Sequence, residues 1–259
     1  MKHENFKTCQ QSGFCQRNRA LADQASAQGA SWSSPYELDP ATIHFKDGQL
    51  NGVIIKTTST NEKLRLPVIV AFLESGAARI IVDEEKRLKG DIDVRHGSKA
   101  NKKRYDEAEK WVIVGGLEAS KSATLNAQAE TGFTNVLYGP EDKFQAIIRH
   151  SPFGIEFQRD GETHVQLNHQ GLLNMEHWRP KVEHEGDAPE EESTWWEESF
   201  GGNTDSKPRG PESVGLDINF PGYKHVFGIP EHADSLSLRE TRYEPLLNLM
   251  PTLWLINKI

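Results

Sequence analysis

Cys9 and Cys15 are the two cysteines of the chain, and Gln10-Gln11-Ser12-Gly13-Phe14 separates them. A structural zinc site needs about four ligands, usually in two close pairs, and one pair at this spacing does not supply them. A redox-active pair normally has the shorter C-x-x-C spacing, in which one sulfur attacks the other's mixed disulfide. A covalent clip fits better, because Gly13 can take the positive φ that a tight loop demands. Closing so short a loop stabilises a fold by about 2 kcal/mol on the chain-entropy account. Two free thiols are the alternative; a clip places the chain in an oxidising compartment. Gly228-Ile229-Pro230-Glu231-His232 is the other stretch with chemical promise, since glycine and proline fix a loop and two ionisable groups follow.

These groups need a scaffold, and composition bounds its kind. With 259 residues, 36% of them hydrophobic, the chain can bury a substantial core as one large or two small domains. A net charge of −8 argues against nucleic acid, because no basic stripe exists to displace counterions from phosphates. No apolar run reaches the length of a membrane span, so no membrane partner is expected. Met1-Lys2-His3-Glu4-Asn5 lacks the apolar stretch of a signal peptide, so an oxidising compartment implies a processed N-terminus. There is no N-x-S/T sequon to give independent evidence of secretion.

The dominant hydrophobic period is two. Asp47-Gly48 predicts a two-residue type I′ turn that pairs Phe45 with Leu50 and Ile43 with Gly52. Leu64 to Leu73 is nearly continuous in apolar residues and reads as a buried strand, followed by another over Ala77 to Val82. Around Asp160-Gly161 a two-residue loop would set Phe157 against His164 and Ile155 against Gln166, mixing the faces. A three-residue loop, Arg159-Asp160-Gly161, instead pairs Ile155 with Val165 and Phe153 with Leu167, so that register is expected. With Phe144 to Arg149 before this hairpin and Gly171 to Trp178 after it, consecutive antiparallel strands predict a mainly β fold, an antiparallel β-sandwich.

Two segments interrupt the pattern. Glu118 to Thr131 has no apolar stripe and reads as a surface insertion or short helix. Residues 183–194 are acidic and contain glycine and proline, which predicts a mobile linker. Order is expected to resume at Trp195-Trp196, because paired tryptophans are costly to leave in water.

Specific motifs resemble the α-glucosidases of glycoside hydrolase family 31. They are Asn5 to Cys9 with Phe14 to Arg19, Trp196-Glu197-Glu198-Ser199-Phe200, Asp205 to Asp217, and His225-Val226-Phe227-Gly228-Ile229-Pro230-Glu231-His232-Ala233-Asp234-Ser235-Leu236-Ser237-Leu238. The resemblance implies an N-terminal β-sandwich of galactose-mutarotase type that packs on a (β/α)8 barrel. In such a chain, 1–35 is an N-terminal extension with the Cys9–Cys15 clip, 36–182 the sandwich, 183–194 the linker, and 195–245 the completion of the sandwich with a barrel-facing loop. Residues 246–259 form an apolar tail outside the family pattern. Such a tail needs either a strand partner in the sandwich or a contact with another chain.

The family is retaining, with an aspartate nucleophile and a carboxylic acid about 5 Å apart. Its nucleophile belongs to a W-x-D-M-N-type strand end, which follows none of the tryptophans here. No catalytic residue, metal or cofactor is therefore expected in this chain. The resemblance implies removal of α-1,3-linked glucose from N-linked glycans of folding glycoproteins in the endoplasmic-reticulum lumen, by a barrel that is absent. Its expected partners are the remainder of the alpha subunit, a beta subunit and the N-linked glycan. Gly228, Pro230, Glu231 and His232 would either brace the barrel or contact substrate. The alternative is a free-standing carbohydrate-binding or aldose-epimerase-like module, in which His164, His169, His177, Glu156 and Glu176 would be the acid–base candidates. Histidines and glutamates alternating with apolar residues are more often a solvated strand face.

Overall fold

A computed structural model describes residues 7–85, 116–128, 132–177, 179, 181, 194–208, 210–227, 236–238 and 254–256, with backbone alone at Cys9, Ala127, Gln128 and 254–256. Two compact units emerge: Ser34–Gln166, and a second formed from Met1–Ser33 with Leu167–Ile259. The acidic segment 183–193 and the residues Gly228, Pro230, Glu231 and His232 lie outside the described residues.

The Ser34–Gln166 unit is a β-sandwich. Its first sheet holds β1 (Tyr36–Lys46), β2 (Gln49–Thr57), β3 (Lys63–Phe72) and β4 (Ala78–Val82) as antiparallel neighbours in chain order. The second runs, also in chain order, through β5 (Thr124–Gln128), β6 (Phe133–Tyr138), β7 (Phe144–Arg149), β8 (Gly154–Arg159) and β9 (Glu162–Leu167). Period-two patterning supplies the core: Leu66, Val68 and Val70 of β3 alternate inward with Leu50 and Ile54 of β2, against Val136, Ala146, Ile148 and Ile155 of the other sheet. The Phe72 and Tyr138 rings meet across the interior at 4.9 Å between centroids. Burial pushes the Tyr138 phenol up to about 12.

Turn chemistry sets the first hairpin as the sequence predicts. Asp47 and Gly48 both have positive φ, 50° and 71°, and Phe45 faces Leu50. The predicted pairing of Ile43 with Gly52 is not observed, because the register shifts between Asp39 and His44. Pro40 has no N–H to donate there, and Thr42 substitutes a side chain for the ladder: its Oγ1 donates to the Asp39 carbonyl at 2.7 Å and accepts the Val53 amide at 2.9 Å.

The expected three-residue loop at Arg159 is also overturned. β8 ends at Arg159 and β9 starts at Glu162, which leaves a two-residue turn with φ of 49° at Asp160 and 81° at Gly161. Those angles suit a type I′ turn, whose twist matches the flanking strands. The preference for one apolar face had little force, since from Thr163 to Leu167 every residue of β9 is only half-buried. The stretch from Glu118 is no surface insertion or helix: Ala119 bridges to Leu73, Ser120 is buried, and Thr124–Gln128 is a strand paired with β6.

His150 lies buried in this unit, its Nε2 2.9 Å from the Thr134 hydroxyl. Burial favours the neutral ring and lowers its pKa from the ordinary 6.5. The unfolded chain therefore takes up this proton first, and the stability that depends on neutral His150 is complete above pH 6.5 and lost as pH falls through the lowered folded value. A His150→Gln variant should show a shallower decline in urea midpoint below pH 6.5 than the parent chain; parallel declines would show that His150 does not contribute.

In the second unit, α1 (Gly13–Gln28) follows a 3-10 turn over Cys9–Gln11, and Ser12 caps it by accepting the Cys15 amide. The predicted strand beyond Gly171 reduces to β10 (Asn174–Met175), which pairs with β13 (Val214–Asn219). Between them, β11 (Glu197–Phe200) and β12 (Asn203–Ser206) form a separate hairpin closed by Gly201 and Gly202 at positive φ. In the apolar tail, β14 (Trp254–Ile256) runs parallel to β13.

Candidate functional site

The cysteine turn is built into the second unit by polar contacts. Cys15 is buried in the first turn of α1, six positions after Cys9 opens the preceding 3-10 turn. Two carboxylates hold this turn. Glu198 Oε1 accepts the Gly13 amide at 2.6 Å, and its Oε2 takes a 2.5 Å bond from Lys207 Nζ. Glu176 Oε1 accepts Arg17 Nε at 2.6 Å, while its Oε2 accepts the Ser213 amide at 3.2 Å. Burial opposes ionisation of Glu198, but the Lys207 hydrogen bond, the Gly13 amide and the charges of Lys207 and Lys7 outweigh it and hold its carboxyl below the usual range. Sequence reading missed Arg17, Glu198 and Lys207 as anchors, because their partners lie up to 185 positions away.

The structure fixes the neck of the second candidate. Phe227 and Ser237 form an antiparallel bridge, and the Leu238 amide donates to the Val226 carbonyl at 2.8 Å. Phe227 and Leu236 are exposed at this neck, 60% and 78%.

Three of the five acid–base candidates of the epimerase alternative, Glu176, Glu156 and His177, have structural employment. Both oxygens of Glu176 are taken by Arg17 and Ser213, and the residue is 5% exposed. Glu156 accepts from Gln158, Thr163 and Gln166 side chains. Burial works against its ionisation, yet those three bonds and the Arg149 charge lower its pKa overall. His177 Nδ1 lies 3.2 Å from Arg179 Nη2, whose guanidinium sits 4.1 Å over the Trp195 ring. His164 is half-buried on β9, and His169 is exposed just beyond it.

Comparison with known proteins agrees with this architecture. The family described as the glycosyl hydrolase 31 N-terminal galactose mutarotase-like domain matches residues 67–248. The chain is similar to the glucosidase 2 subunit alpha of Schizosaccharomyces pombe, 40% identical over 239 residues that make up 91% of this chain and 25% of that protein. It is also similar to a crystal structure of a Glc1Man2-bound glucosidase II alpha subunit, with TM-score 0.79 and 53% identity over 96% of this chain and 28% of that one. A third likeness, 54% identical with TM-score 0.79 over 96% of this chain and 28% of the other, is an ER glucosidase II heterodimeric complex of catalytic subunit and the binding domain of the regulatory subunit. The chain thus spans about a quarter of the length of these relatives. With the family match spanning 182 of its 259 residues, the protein belongs to glycosyl hydrolase family 31, as its N-terminal galactose mutarotase-like domain.

Proposed function

We infer that this chain is the non-catalytic N-terminal part of a glucosidase II alpha subunit, which removes α-1,3-linked glucose from N-linked glycans in the endoplasmic-reticulum lumen. The observation that carries the reading is its 40% identity, over 91% of the chain, to a relative named as that subunit. Hydrolysis belongs to the barrel that follows in the family, where a nucleophile and an acid face each other across the glycosidic bond. The glucosidase II beta subunit is the partner proposed for the complete enzyme, by analogy with the heterodimeric relative. A Cys9–Cys15 disulfide suits that compartment; supporting it, Cys15 is buried in the first turn of α1, six positions after Cys9 in the preceding 3-10 turn.

Purified alone, the chain is expected to hydrolyse no α-glucoside, while the complete alpha subunit turns over. Turnover by the chain free of barrel-containing protein would refute the reading. In the complete subunit, Glu231→Gln or His232→Ala should reduce activity. A lower melting temperature with unchanged KM identifies the loop as a brace on the barrel, and a raised KM at unchanged stability identifies substrate contact.

A further inference from the structure

We propose that the first turn of α1 is a redox-sensitive latch on the β11–β12 hairpin, so that reducing the Cys9–Cys15 bond loosens the hairpin and leaves the Ser34–Gln166 sandwich folded. The proposal rests on the reading of the two cysteines as a disulfide.

The hairpin has little to hold it by itself. β11 and β12 form a two-stranded sheet of their own, and all four residues of β12 are exposed. An isolated two-stranded hairpin is marginal in water, so its order depends on anchors outside it. Two anchors reach the start of α1, and a third ties the two ends of the hairpin to each other. The Gly13 amide donates to Glu198 in β11, and Arg17 Nη1 donates to Thr194 Oγ1 at 2.7 Å just before the hairpin. Lys207, just after it, binds Glu198 Oε2 and donates to the Thr194 carbonyl at 3.3 Å. Lys7 adds a cation 4.0 Å from Glu198 and 3.9 Å from Asp205 in β12. The approach is close enough that a Cβ at Gly13 would overlap the Thr194 side chain.

The helix depends on the same end that makes these bonds. Burial along α1 is confined to Gly13, Phe14, Cys15 and Asn18, so no apolar face carries the remainder of the helix. A helix of this length without such a face is marginal, and nucleating its first turn is the costly step. A Cys9–Cys15 bond fixes that turn against the Cys9–Gln11 segment. A dithiol reductant delivers two electrons and two protons to the bond, giving two thiols while becoming a disulfide itself. The first turn of α1 then frays, its Gly13–Glu198 and Arg17–Thr194 bonds go with it, and the hairpin is left to Lys207 alone.

Hydrogen exchange read by mass spectrometry on the whole chain, with and without dithiothreitol, tests the latch. In the reduced chain, exchange over Glu197–Ser206 should speed up about tenfold or more, with β3 and β6 unchanged. A Cys9→Ser/Cys15→Ser double variant should exchange at the reduced rate from the start and ignore the reductant. Glu198→Gln should loosen the hairpin with the disulfide intact. Identical hairpin exchange before and after confirmed reduction overturns the latch. If peptide mapping without reductant finds both thiols alkylated, the disulfide reading falls and the latch falls with it.

Discussion

Replacing Phe72 by alanine should lower the unfolding free energy by about 3–5 kcal/mol, enough to abolish most of the margin of an ordinary domain. Phe72 is 0% exposed at the end of β3, where its ring contacts Tyr138 at 4.9 Å and Phe45 at 6.3 Å. Its own strand cannot close the space, because the Phe72 amide bonds to the Gly48 carbonyl at 2.9 Å and its carbonyl accepts the Ser120 amide at 2.8 Å. A backbone tied on both sides relaxes little, so most of the cavity persists and both transfer and packing losses apply. Phe72→Leu keeps much of the volume and should cost less than half as much. Urea unfolding with an unchanged m-value reads the effect. A loss below about 1 kcal/mol for the alanine variant would mean that the two sheets do not meet at this ring.

How far the sequence discloses this fold depends on which force sets each element. β3 was legible because four apolar positions from Leu66 to Phe72 are buried on the inner face and the strand sits between two neighbours. Asp47-Gly48 was legible because two residues of the right type fix both φ values. Where local chemistry and hydrophobic parity disagree, as at Asp160-Gly161, the turn won; Phe153 and Ile155 are buried but their expected partners Val165 and Leu167 are only half-buried, so parity had little free energy behind it. Helix α1 was illegible for the opposite reason: it lacks an apolar stripe and is held by Glu176 and Glu198, whose partnership with Arg17 and Gly13 no local pattern encodes. The cysteine pair was visible as a candidate from spacing, whereas its surroundings were not.

Asp217 is the other position where a single substitution should be severe, and alternation along β13 would mislead there. In Val214-Gly215-Leu216-Asp217-Ile218 the apolar residues stay half-buried, while Gly215 and Asp217 are the inward set. Gly215 lies where any Cβ would collide with Asn18, and Asp217, 1% exposed, does the work of a backbone strand partner. Its Oδ1 accepts the Leu172 amide at 3.0 Å and its Oδ2 the Gln170 amide at 2.8 Å, while its carbonyl accepts the Asn168 amide at 2.9 Å. Asn168, 0% exposed with φ of 54°, completes the clamp by accepting the Leu173 amide at 2.7 Å through Oδ1. Asp217→Asn keeps the shape but turns an N–H₂ toward one of two donors, leaving that buried amide unpaired; the loss should be about 2–3 kcal/mol. Asp217→Leu orphans both amides and should lose about 3–5 kcal/mol, because each buried unpaired donor retains its desolvation penalty. Exchange at the Gln170 and Leu172 amides should rise in both variants before global unfolding. Equal stabilities for Asp217→Asn and the parent chain would mean that water replaces the lost acceptor, and the clamp would then contribute nothing to stability.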